Sequence, residues 1–122
     1  MAIEKVRAYF REQGMEERIR EFDTSSATVD LAAAALGCEP QRIAKSLAFM
    51  ADGHALLVVT AGDAKIDNSK YKAQFRTKAR MLSPQEAETL TGHAVGGVCP
   101  FAVPKDVDIY LDVSLKRFET VF

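Results

Sequence analysis

The chain has 122 residues, 48% hydrophobic and 27% charged, the size and mixture of one soluble domain whose core needs no disulfide or metal staples. Sixteen Lys and Arg against seventeen Asp and Glu give a net charge of −1, which argues against a uniformly basic nucleic-acid coat and against an acidic disordered tail. No apolar run reaches the roughly 18 residues of a membrane span, and the charged start MAIEKVRAYFREQG reads as neither signal peptide nor presequence. Two cysteines, Cys38 and Cys99, are too few for a disulfide scaffold and fit a reducing, cytoplasmic setting.

Ile3, Val6, Tyr9 and Phe10 recur at spacings of three and four, predicting an amphipathic helix over 2–13 that Gly14 ends. A short extended piece is expected at Ile19–Phe22, then a turn at Asp23-Thr24-Ser25-Ser26. Thr28 or Ser26 can cap the next helix, Val29–Leu36, which is nearly all Ala and Leu and closes at Gly37. Small side chains suggest close packing against a sheet. Ile43–Met50 and His54–Thr60 flank Asp52-Gly53, a hairpin signal because both turn residues need positive φ. Helix-compatible Ser69–Phe75 follows. Ser83-Pro84-Gln85-Glu86 has the order of an N-cap, a first-turn proline and a capping-box Glu, so a helix runs to about Leu90. Val107–Val113 reads as a strand and Leu115–Phe122 alternates weakly. Helices interleaved with short strands predict a single α+β domain over 1–122.

Lys45 lies, by strand alternation, on the face of Ile43, Leu47 and Phe49. It is either an edge lysine with a buried stem or an ammonium placed to anchor an anion or a substrate carbonyl. Gly96-Gly97-Val98-Cys99-Pro100 is either an ordinary turn or a loop whose amides converge on one oxygen, as an oxyanion hole requires. Cys99 with His93 six residues earlier poses a thiol nucleophile and its base, although no third, orienting group is identifiable. Cys38, Cys99, His54 and His93 have no metal-ligand spacing, and no cofactor is expected. Lys65, Lys70, Lys72, Arg76, Lys78 and Arg80 stand against Asp67 alone in their window. That window is either a solvated face or a track for a phosphate backbone.

The run Thr28-Val29-Asp30, the stretch from Ala32 to Gly37, and Ile43-Ala44-Lys45-Ser46-Leu47 resemble the YbaK / prolyl-tRNA synthetase-associated domain family. Val58-Val59 with Gly62-Asp63, and Gly96-Gly97-Val98-Cys99-Pro100-Phe101, extend the resemblance over nearly the whole chain in order. It implies a mixed, barrel-like β-sheet flanked by helices, with an acyl pocket between them. It implies aminoacyl-tRNA editing: hydrolysis of the ester of a mischarged tRNA, typically one for proline, carrying a small amino acid such as Ala, Ser or Cys. The implied partners are the acceptor end of aminoacyl-tRNA and a prolyl-tRNA synthetase, with no membrane.

In that picture Lys45 binds near the tRNA 3′ end. The backbone amides of Gly96, Gly97, Val98, Cys99 and Pro100, where the family has a Gly-x-x-x-Pro loop, line the reacting carbonyl, and Lys65, Lys70, Lys72, Arg76, Lys78 and Arg80 hold tRNA. A ribose hydroxyl and a held water replace any side-chain nucleophile. Ser is common in the family where Cys99 stands, and relatives usually run further, through another strand and helix. The alternatives are a non-catalytic module that docks on tRNA or a synthetase, and an unrelated Cys99 thiol enzyme.

Overall fold

The computed structural model describes residues 2–122. Helix α1 (Ala2–Glu12) is followed by a 3₁₀ turn at Glu16–Arg18. In the short extended piece expected at Ile19–Phe22, Ile19 is extended, and the segment adds no strand to the sheet. Helix α2 (Val29–Leu36) starts where Thr28 Oγ accepts the Leu31 N–H at 3.2 Å, and ends at Gly37 in the left-handed region, φ 68°. Of the two capping candidates, Thr28 takes the role.

Strands β1 (Ala44–Ala51) and β2 (His54–Ala61) form the hairpin, with Asp52 and Gly53 at φ 50° and 80° as a two-residue turn of this kind demands. Its antiparallel register runs from Ala44 opposite Ala61 to Ala51 opposite His54. Helices α3 (Asn68–Phe75) and α4 (Pro84–Thr91) follow, capped by Asp67 and by the full Ser83–Glu86 capping box. Strand β3 (Asp108–Leu111) then adds parallel to β2.

β2 is central in the order β1-β2-β3, and its seven residues from Ala55 to Ala61 are all buried. One face packs Phe49, Ala51, Leu56 and Val58 against Tyr71 of α3. The other packs Ala48, Ala55 and Leu57 against Val107, Leu82, Leu90 and Val98. A fully buried leucine such as Leu57 contributes about 2 kcal/mol by removal from water, so both layers are held by the central strand.

The sheet is open, which corrects the barrel-like expectation. Three strands cannot close on themselves, because closure needs a strand tilt and stagger shared around a full ring. β3 is instead an edge strand with all four residues exposed. Leu115–Phe122 also departs from a strand. Asp112 accepts the Ser114 N–H at 3.0 Å and starts a 3₁₀ turn, Val113–Arg117. At the end of the chain Phe122 bonds to Ala44 of β1 and to Arg42 just before it.

Candidate functional site

A cavity of about 300 Å³ opens beside the first half of β1. Its walls come from the segment entering α2 (Ser26 to Val29, and Ala32), from Ile43 to Ser46 and Ala48, from Met81, Leu82 and Ala87 around α4, and from Val95, Gly96 and Val98. Most of these side chains are small. The alanine-rich stretch of α2 was the sequence signal for such a wall, whereas nothing local marked Met81 or Leu82, which arrive by long-range pairing. Met50 and Ala48 bond Arg80 and Leu82 across the outer edge of β1, at 2.9 and 3.0 Å.

The geometry brings Lys45, Gly96 and Val98 to this one cavity; Gly97, Cys99 and Pro100 do not line it. Lys45 is half-buried and opposite Thr60, so its side chain leaves β1 on the Leu47 face, as alternation predicts. Its Nζ donates to the Gly62 carbonyl at 3.4 Å. Gly62 is fixed by crowding: a Cβ there would stand 2.2 Å from the Pro40 carbonyl oxygen and 2.8 Å from Val29 Cγ1. The next residue, Asp63, forms an exposed ion pair with Arg117. That hydrogen bond from Arg117 lowers the Asp63 carboxyl below its ordinary value, with a smaller contribution from the Lys45 charge.

Gly96 takes φ 90°, a conformation that suits glycine, and a Cβ there would meet Ala27 Cβ at 3.4 Å. Gly97 N–H is committed to the Ala94 carbonyl at 2.9 Å, so it is not free to act on a ligand oxygen. Beyond the loop, Phe101 packs edge-on against Phe10 at 4.7 Å, which ties α1 to the loop's far end.

Cys99 and His93 do meet, with Sγ 3.7 Å from Nε2. The pairing is not that of a nucleophile and its base. His93 is fully buried, and its Nε2 lies 2.8 Å from the Phe101 carbonyl oxygen, an acceptor only. The proton must therefore sit on Nε2, leaving that nitrogen no lone pair for the thiol. Burial pushes the Cys99 thiol above its ordinary pKa, away from the thiolate form.

The six predicted tRNA cations are all exposed. Lys65 and Lys70 rim a different, larger cleft of about 850 Å³ on the Val58 and Thr60 face of the sheet, over Tyr71, Phe75 and Tyr110. Arg76 caps α3 in the left-handed region, φ 61°, and Arg80 is held by Glu86 at 3.0 Å. Tyr71, interleaved among these cations, is core. It is 4% exposed and stacked between Phe49 and Phe75 at 5.0 and 4.6 Å.

Residues 23–122 match the family model of the aminoacyl-tRNA editing domain. The chain belongs to that family, the YbaK-type editing domains associated with prolyl-tRNA synthetase. It is 54% identical over 123 aligned residues to the uncharacterized protein YwhH of Bacillus subtilis (strain 168), covering 100% of this chain and 78% of that protein. It is 31% identical over 107 residues to a proline–tRNA ligase of Bacillus licheniformis, covering 86% of this chain and 19% of the ligase. Among solved structures, a candidate trans-editing enzyme for prolyl tRNA synthetase superposes with a TM-score of 0.86 at 30% identity. That match covers 97% of this chain and 76% of the other.

Proposed function

We propose that the protein is a trans-editing deacylase that hydrolyses the ester of a mischarged aminoacyl-tRNA in the cavity beside β1, tRNA for proline being the class that its relatives suggest. The observation that carries this reading is the meeting of Lys45 and the Gly96 loop on one small-walled cavity, in a chain of the editing family. Lys45 is the cavity's one charged lining residue, and its role is to hold the anionic 3′ end of the tRNA.

Water attacks the ester carbonyl carbon, and the tetrahedral oxyanion takes hydrogen bonds from the Gly96 and Val98 amides of the loop. Collapse breaks the bond to the terminal ribose oxygen, which leaves as a hydroxyl, and the amino acid is released with the water's oxygen. Oriented amide donors of this kind are worth about 3 kcal/mol each in acyl-transfer sites. No side chain forms a covalent intermediate, in keeping with a half-buried Cys99 thiol whose pKa is raised by desolvation. Walls built from Ala27, Ala32, Ala44, Ala48 and Ala87 suit a small acyl side chain, and such apolar pockets discriminate by about 1–3 kcal/mol per methylene.

Incubating the protein with tRNAs charged with Ala, Ser, Cys or Pro tests the reading. Release of a small non-cognate amino acid, lost at least about a hundredfold in Lys45→Ala, supports it. Folded protein that binds tRNA but releases nothing from any member assigns a non-catalytic docking module instead.

A further inference from the structure

In an antiparallel strand the N–H and C=O of one residue point to the same side, and the side alternates along the chain. On β1, Ala44 N–H donates to Phe122 and Phe122 N–H to Arg42, at 2.6 and 2.8 Å. Further along, the Ala48 carbonyl accepts from Leu82 and Met50 N–H donates to Arg80. Even-numbered residues therefore face away from β2, and Ser46 stands between the two pinned ends. Among the described residues, the Ser46 N–H and C=O, the Ala44 C=O and the Ala48 N–H have no hydrogen-bond partner. Ser46 is half-buried, and all three residues line the 300 Å³ cavity. Unpaired peptide groups lining a cavity are costly unless a ligand or solvent satisfies them.

The lining limits which groups of this cavity could receive a donor on the ligand. No Asp or Glu lines it, and Lys45 is its one ionisable lining residue, with Nζ turned to the Gly62 carbonyl. The Thr28 hydroxyl, also in the wall, already accepts the helix-capping bond from Leu31. A cationic amine entering here must be met mainly by backbone carbonyls, and the Ala44 and Ser46 carbonyls are open along the β1 edge.

We propose that the open edge of β1 at Ala44, Ser46 and Ala48 holds the α-amino group of the aminoacyl ester. The Ala44 and Ser46 carbonyls accept its N–H bonds, and the edge amides face the acyl group's oxygen side. This rests on the editing reading above and adds to it a requirement for a free amine. An α-hydroxyacyl or N-acetyl ester, which cannot present the ammonium, is then a poor ligand however small its side chain.

The test uses 3′-alanylamino-3′-deoxyadenosine, a non-hydrolysable analogue of the charged end, beside its lactyl and N-acetylalanyl counterparts. Affinity is measured by calorimetry and amide exchange by NMR. The expected result is binding at least about tenfold weaker for both counterparts, the size of a lost hydrogen bond to a charged group. The Ser46 amide should exchange rapidly in the free protein and slow at least about tenfold with the alanyl analogue.

Equal affinity for all three compounds overturns the proposal, as does an unchanged Ser46 amide. A Ser46 amide already protected in the free protein also overturns it, since a polypeptide segment would then occupy the edge. Failure to hydrolyse any aminoacyl-tRNA would remove the editing reading instead, and these binding measurements do not depend on turnover.

Discussion

His93 Nε2 lies 2.8 Å from the Phe101 carbonyl oxygen and only 3.7 Å from Cys99 Sγ, so one nitrogen is claimed by the backbone before the thiol can use it. Cys99→Ser is therefore expected to keep aminoacyl-ester hydrolysis within about threefold of the parent. The Cys99 thiol, raised by burial, should also alkylate with iodoacetamide more slowly at pH 7.5 than a free cysteine peptide. Loss of turnover in Cys99→Ser, with unchanged circular dichroism, would restore the thiol mechanism.

Gly62 and Gly97 make a matched pair for testing where glycine is required. Gly62→Ala drives a methyl to 2.2 Å from the Pro40 carbonyl oxygen, which is backbone and cannot step aside cheaply. It should cost about 3 kcal/mol or more in urea denaturation. Gly97→Ala meets nothing nearer than 3.6 Å and has no positive φ, and its stability should stay within about 0.5 kcal/mol.

Gly96→Ala places an L side chain at φ 90° against Ala27. The strain is of order 1–3 kcal/mol, and relief would require the loop to turn away from the cavity. Both the urea midpoint and kcat should fall, kcat by at least about tenfold. A variant that loses stability and keeps kcat would separate the loop's conformation from catalysis.

The Glu86 carboxylate accepts the Ser83 N–H at 2.9 Å and pairs with Arg80. The Ser83 bond is the first cause holding its pKa below the ordinary 4.5, and Arg80 adds to it. A carboxyl lowered on folding stabilises the folded state above the unfolded pKa, and that stabilisation is lost as pH falls through the folded value. Thermal stability should therefore drop more steeply below about pH 4.5 in the parent than in Glu86→Gln. Parallel acid limbs would count against the box. Ser83→Ala should cost about 1 kcal/mol at pH 7.

If the 65–80 cations carry tRNA, their contributions should be unequal. Arg80 is already paired with Glu86, whereas Lys72 and Lys78 are exposed and not bound in any ion pair among the described residues. Lys72→Ala or Lys78→Ala should reduce the slope of log K against log salt by about 1, and Arg80→Ala by less. A slope unchanged in all three would place the tRNA elsewhere.

Local chemistry was legible in the sequence. Thr28, Ser83 with Glu86, Asp52-Gly53 and Gly37 act through bonds or φ values confined to a few neighbouring residues, and each helix and the hairpin formed within a residue or two of its expected span. Lys45 and the Gly96 loop also stood out, because a cation on an apolar strand face and paired glycines are unusual where they occur. Their meeting was not legible. It depends on Leu82 and Arg80 folding back onto β1 and on α2 approaching through Gly62, pairings between segments far apart in the chain.

The near-zero net charge was a property of the sequence alone, as was the order of the helices and of the hairpin strands. Only the tertiary structure decided that the sheet stays open at three strands, that His93 spends its proton on Phe101 rather than on Cys99, and that Arg80 pairs with Glu86 while Lys72 has no ion-pair partner among the described residues. The physical reason is common to all three. Edge pairing, tautomer choice and ion pairing are each settled by which partner arrives in space, and composition and periodicity carry no record of that.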